Sequence, residues 1–173
     1  KGDKLVRMSA IDARRRVGDD SCCAALLRIA IEKDEDLAQA AKNALAELPG
    51  TNVDETIAEF LFDAKGDSYA LLLELIGKRR IELVDEVEKA LDHSDESVRH
   101  AALIALGETV SLDKLSILVS QVIEAKNPDD ARVAQKSLKA ASVRMPDREA
   151  CAARLTEALI QSPAASKPTL LEI

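Results

Sequence analysis

The 173 residues are 47% hydrophobic yet only 2% aromatic, and 24 cationic against 31 acidic side chains leave a net charge of −7. An acidic balance argues against sequence-independent nucleic-acid binding, which needs clustered Lys and Arg, and no apolar run approaches the ~18 to 20 residues of a membrane span. Ala and Leu fill 51 positions against six Gly and five Pro, so strong helix formers with few breakers predict an all-α chain of amphipathic helices with solvated outer faces.

Helical periodicity first appears in "KLVRMSAIDARRRVGD" from Lys4, a lone helix within residues 1–19. Residues 20–50 hold a pair, "CCAALLRIAIEK" from Cys22 and "EDLAQAAKNALAELPG" from Glu35. Residues 51–80 repeat the arrangement with "ETIAEFLFDAK" from Glu55 and "GDSYALLLELIGKRR" from Gly66. Residues 81–110 carry "ELVDEVEKALDH" from Glu82 and "DESVRHAALIALGE" from Asp95, and residues 111–145 carry "LSILVSQVIEAK" from Leu115 and "PDDARVAQKSLKAA" from Pro128. Residues 146–173 open a further unit with "CAARLTEALIQ" from Cys151, and "KPTLLEI" (Lys167 to Ile173) reads as the start of its second helix. Turns with capping chemistry separate the helices: Ser94, Asp95 or Ser97 in "DHSDES", Gly and Asp in "AKGDS", and Pro128 before two acids in "KNPDD".

Aligned on the inward positions Ala10, Ala41, Leu72, Ala102 and Ala134, the second helices recur at intervals of 31, 31, 30 and 32 residues. A unit of two short helices cannot bury both of its faces alone, so a repeat of this size stacks into a solenoid. Ala101, Ala102 and Ala105 fit that reading, because small residues let helix axes approach closely. Lys1 and Ile173 both fall in mid-pattern, so residues 1–173 read as one repeat domain, with partial units at either end, taken from a longer array.

"DHSDESVRHAALIALGE" resembles the second half of a HEAT repeat, in particular the short bacterial form known as PBS-lyase HEAT-like repeats. The likeness lies in the turn Asp95, then Val98-Arg99, Ala102 and Ala105-Leu106-Gly107. Val6-Arg7 with Ala10 and Ala13 echo it, as do Leu37, Ala41, Ala44 and Leu45, and more weakly Ala131-Arg132. The period is shorter than the ~40 to 47 residues of eukaryotic HEAT and armadillo units. The resemblance implies a right-handed α–α superhelix of about four complete helix pairs. It also implies bonds between neighbouring repeats from a turn Asp (Asp67, Asp95, Asp129) to an Arg of the second helix (Arg99, Arg132). Such exposed pairs would set twist more than stability.

Enzymatic members of the wider fold are poor matches. The deoxyhypusine hydroxylases carry repeated His-Glu pairs, and this chain has no His-Glu dipeptide; His93 and His100 are its only histidines. A phycobilin lyase pocket or a DNA-alkylation-repeat cleft calls for aromatic residues, the latter also for a basic surface, against one Tyr, two Phe and no Trp here. Cys22, Cys23 and Cys151 form no C-x-x-C motif and read as buried free thiols, which favour a reducing compartment such as the cytoplasm. No catalytic residue, metal or cofactor is expected. The clusters Arg14 to Arg16 and Lys78 to Arg80 read as cations placed favourably at helix C-termini, with an anionic partner as the alternative.

The expected function is a non-catalytic scaffold that binds a protein or peptide on the surface lined by the second helices. Counting outward from the inward positions nominates Arg7, Lys42, Tyr69, Leu73, Arg99, His100, Leu103, Arg132 and Lys136 for that face. The alternative is a structural spacer or docking arm. The resemblance supports it, because HEAT-like arrays often accompany catalytic domains, sugar-hydrolase-like ones included, in large bacterial proteins.

Overall fold

The computed structural model describes residues 2–162, so "KPTLLEI" lies outside the described residues. Those residues form helices and turns with no strand. The helices are α1 (Gly2–Val17), α2 (Cys23–Ala30), α3 (Glu35–Glu47), α4 (Thr51–Asp63), α5 (Asp67–Arg79), α6 (Val84–Lys89), α7 (Glu96–Thr109), α8 (Leu115–Ile123), α9 (Pro128–Arg144) and α10 (Arg148–Gln161). The chain divides into two compact units, Lys1–Ile81 and Glu82–Ile173, where the repeat reading expects one domain.

In the first unit α2 packs on α3 and α4 on α5, while α3 touches both α1 and α5. In the second unit α6 packs on α7 and α8 on α9, α7 lies against α9, and α10 contacts α8 and α9. These contacts join each even-numbered helix from α2 to α8 to the odd-numbered helix that follows it. The helix starts follow from capping chemistry: Asp34 accepts from the Leu37 amide, Asp95 from Ser97, Asn127 from Asp129 and Asp130, and Asp147 from Ala150. Of the three candidates ahead of α7, Asp95 is the cap. Pro128 takes the first turn of α9, where its missing N–H costs nothing.

The inward positions Ala41, Leu72, Ala102 and Ala134 are buried, and so are Leu26, Ile57, Val87 and Leu118 on the even-numbered helices. Ala10 is the exception. It is exposed because, among the described residues, no helix precedes α1 to cover it; α1 rests on α3, burying Ile11 instead. In the second unit α7 and α9 approach so closely that a Cβ added at Gly107 would sit 3.0 Å from the Ser137 carbonyl oxygen and 3.1 Å from its Cα. Glycine at 107 is a packing requirement of that crossing.

Two arginines finish helices that lie about thirty residues before them. Arg79, its side chain 9% exposed, donates from Nη1 to the carbonyls of Leu45, Ala46 and Leu48 at 3.0, 3.2 and 2.8 Å, and from Nε to Asp54. It thereby satisfies the orphan carbonyls at the end of α3. Arg144 does the same for α7 by donating to the Val110 carbonyl. Arg80 ends α5 in the left-handed region (φ 55), with Ile81 N–H returning to the Ile76 carbonyl. The cluster Lys78 to Arg80 is therefore partly built into the fold. In the other cluster Arg15 bridges Asp12 and Glu47, Arg16 pairs with Asp12, and Arg14 is exposed.

Cys23, the first residue of α2, is fully buried, and burial pushes its thiol up to about 11. At pH 8 roughly one molecule in a thousand would carry the thiolate there. Cys151 is also buried and Cys22 is half-buried. Thiol titration of the native chain at pH 8 is expected to find no more than one fast-reacting group, Cys22, and three after denaturation. A second fast thiol in the native chain would mean that the packing over Cys23 or Cys151 opens.

Candidate binding surface

Successive residues of an α-helix step round its axis by 100°, so the residue just after an inward position points toward a flanking helix. Residues two before or two after it point away from the packed seam. This arithmetic sorts five of the nine nominated residues, Leu73, Leu103, His100, Arg132 and Lys136. Leu73 and Leu103 each follow an inward position by one, and both are buried; they are core residues and offer nothing to a partner. Arg99 is buried as well. His100, Arg132 and Lys136 lie two residues from Ala102 or Ala134. Arg132 and Lys136 are exposed, and His100 is half-buried.

In the first unit, Arg7 is half-buried and its guanidinium grips Glu32 at 2.7 and 2.8 Å. Lys42 and Tyr69 are half-buried on α3 and α5. The outward surface is instead a groove along α1 and α3, with Leu5, Met8 and Ala40 among its lining residues and Lys4, Asp36, Gln39 and Asn43 beside them. Charges in and around it pair with one another. Lys4 lies 2.7 Å from both Asp34 and Asp36, and Arg15 lies 2.7 Å from both Asp12 and Glu47. The Asp34 and Asp36 bonds hold the Lys4 ammonium above its ordinary range. The Lys4 bond, then the Leu37 amide, holds Asp34 below the usual carboxylate range.

In the second unit, Arg99 and Asp130 form a buried pair between α7 and α9, their side chains 10% and 5% exposed. Arg99 Nε donates to Asp130 at 2.9 Å and Nη2 at 3.3 Å, while Nη1 donates to the carbonyls of His93 and Ser94. Asn127 donates a further bond to Asp130. The resemblance led to Asp129 for this partner. Asp129 pairs instead within its own helix, 2.9 Å from Arg132, because one 100° step turns Asp130, not Asp129, toward α7. Burial also removes the argument that such a pair is worth little, which holds only for exposed ions. Asp67 heads the first turn of α5, next to Gly66 at the cap position, and is exposed.

His100 Nε2 lies 3.0 Å from Asp130 and 3.6 Å from Glu96, near enough for attraction once the ring is protonated but not aligned as a hydrogen bond. Asp130 is already committed to Arg99 and Asn127, so it does not orient His100 as the acid of a catalytic triad orients its base. Among the described residues no group of three His, Cys, Asp or Glu side chains could hold a metal ion. None of their helices is long and apolar enough to cross a membrane.

The outward surface of α7 and α9 contains residues that the nomination missed. Ile104 is 52% exposed and Val143 75% exposed. Ile104 stands two residues after Ala102, so the same 100° count would have found it. Lys139 is exposed on α9 between Lys136 and Val143. No family model matches the chain, and no curated protein matches it.

Proposed function

We propose that the chain is a HEAT-like array, a right-handed superhelix of helix pairs, serving as a non-catalytic scaffold that binds a protein or peptide on the outward faces of its odd-numbered helices. The observation that carries this reading is that the aliphatic side chains Ile104 on α7 and Val143 on α9 are left in water, with exposed cations on α9. Apolar side chains grouped with polar neighbours on a surface suit an interface better than a plain solvated helix. The pairing of helices within each unit and the bond from an Arg of one odd-numbered helix to an Asp of the next support the HEAT-like part.

A random-peptide library panned against the native chain tests the reading. The comparison is a variant carrying Met8→Asp, Asn43→Lys, Ile104→Asp and Lys136→Glu, with its helicity verified. Peptides enriched by the native chain and lost by the variant support a scaffold. No enrichment, or equal retention by both, overturns it in favour of a structural spacer.

A further inference from the structure

Residues 131–146 read "ARVAQKSLKAASVRMP", sixteen positions with four cations and no acid, in a chain whose net charge is −7. Helix α9 arranges this bias geometrically. Arg132, Lys136, Lys139 and Val143 follow one another at steps of four, three and four residues, which keeps them within about 60° of one line along the helix. All four are exposed. The line runs roughly 16 Å at 1.5 Å per residue.

The acids nearest the start of this line are already engaged. Asp130 is buried against Arg99, and Asp129 pairs with Arg132. On α7, which packs against α9, Ile104 is 52% exposed, one turn beyond the half-buried His100. Val143 thus ends the cationic line with an aliphatic side chain, Ile104 adds a second on the neighbouring helix, and Lys stems add further apolar surface beneath their charges.

From this we infer that the outer surface of α7 and α9 takes an acidic peptide segment carrying aliphatic side chains, its carboxylates set along Arg132 and Lys136 and its aliphatic groups against Ile104 and Val143. The inference rests on the scaffold reading and names its partner. Charge complementarity selects the partner's sign and speeds encounter, while the two aliphatic contacts slow release. A bare polyanion would use the cations and leave Ile104 and Val143 idle, so the occupant is a peptide.

Fluorescence anisotropy with labelled 16-residue peptides tests this on the whole chain. The probes are a Glu/Leu/Ala peptide, its Lys-for-Glu counterpart, and a single-stranded oligonucleotide of the same length. The Glu/Leu/Ala peptide is expected to bind, weakening about tenfold for Arg132→Glu/Lys136→Glu and about tenfold for Ile104→Asp. It is also expected to weaken between about 50 and 200 mM salt. All three substituted positions are partly or wholly exposed, and circular dichroism melting verifies that the variants fold. No binding, undiminished binding by the variants, or tighter binding of the Lys peptide or the oligonucleotide would overturn the inference. Library peptides that need the outward faces but show no acidic preference would leave the scaffold reading standing and remove this one alone.

Discussion

Replacing Asp130 by Ala is expected to destabilise the Glu82–Ile173 unit by about 3 to 5 kcal/mol, the range for breaking one side of a buried ion pair. The loss comes from Arg99. Its guanidinium stays between α7 and α9, keeps its bonds to the carbonyls of His93 and Ser94, and loses the carboxylate that balanced its charge. The double replacement Arg99→Met/Asp130→Leu removes the stranded charge and is expected to recover most of the loss, because well-packed apolar pairs of similar volume often equal buried ion pairs. Urea denaturation followed by circular dichroism measures both variants. A single-variant loss below about 1 kcal/mol, the scale of exposed pairs, would mean that the pair is solvated in solution.

Ala102→Trp carries the second large effect. Ala102 has no exposed surface, in a helix held by α6 on one side and by α9 on another. Gly107 on the same helix already stands at contact distance from Ser137, so the crossing has no slack to absorb an indole. Overpacking of this kind costs typically 1 to 3 kcal/mol, occasionally more. For a unit of this size each kcal/mol lowers Tm by about 4 to 8 °C. The matching change at Ala10, the same repeat position on α1 but exposed, is expected to move Tm by less than one-fifth as much. Equal shifts at the two sites would mean that the repeat register does not govern packing.

How far the sequence is readable depends on which property carries the signal. The helical character was legible because turns rich in Gly, Pro, Asp and Asn separate the apolar-periodic stretches, and the caps Asp34, Asp95, Asn127 and Asp147 act locally. The rotation of each helix was harder to read. In α7, Ala101, Ala102 and Leu103 are all buried in succession, so the helix is apolar on most sides and its hydrophobic pattern points weakly in any one direction. Counting from Ala102 therefore placed Leu103 outside and passed over Ile104, an error of a single 100° step. The same step separates Asp129 from Asp130. Arg79 was illegible for another reason. Its role depends on carbonyls thirty-one to thirty-four residues away, and a basic residue at a helix end looks the same whether it caps a distant helix or faces water.

That reach of Arg79 has a consequence for synthesis on the ribosome. The carbonyls of Leu45, Ala46 and Leu48 emerge with α3, but the guanidinium that completes them leaves the exit tunnel only after α4 and nearly all of α5 have followed. Until then the end of α3 must stay hydrated. Helix α3 is thus held short of its final packing until the last turn of α5 arrives. A chain stalled before residue 79 should expose that end to proteases, whereas one released a few residues later should resist them.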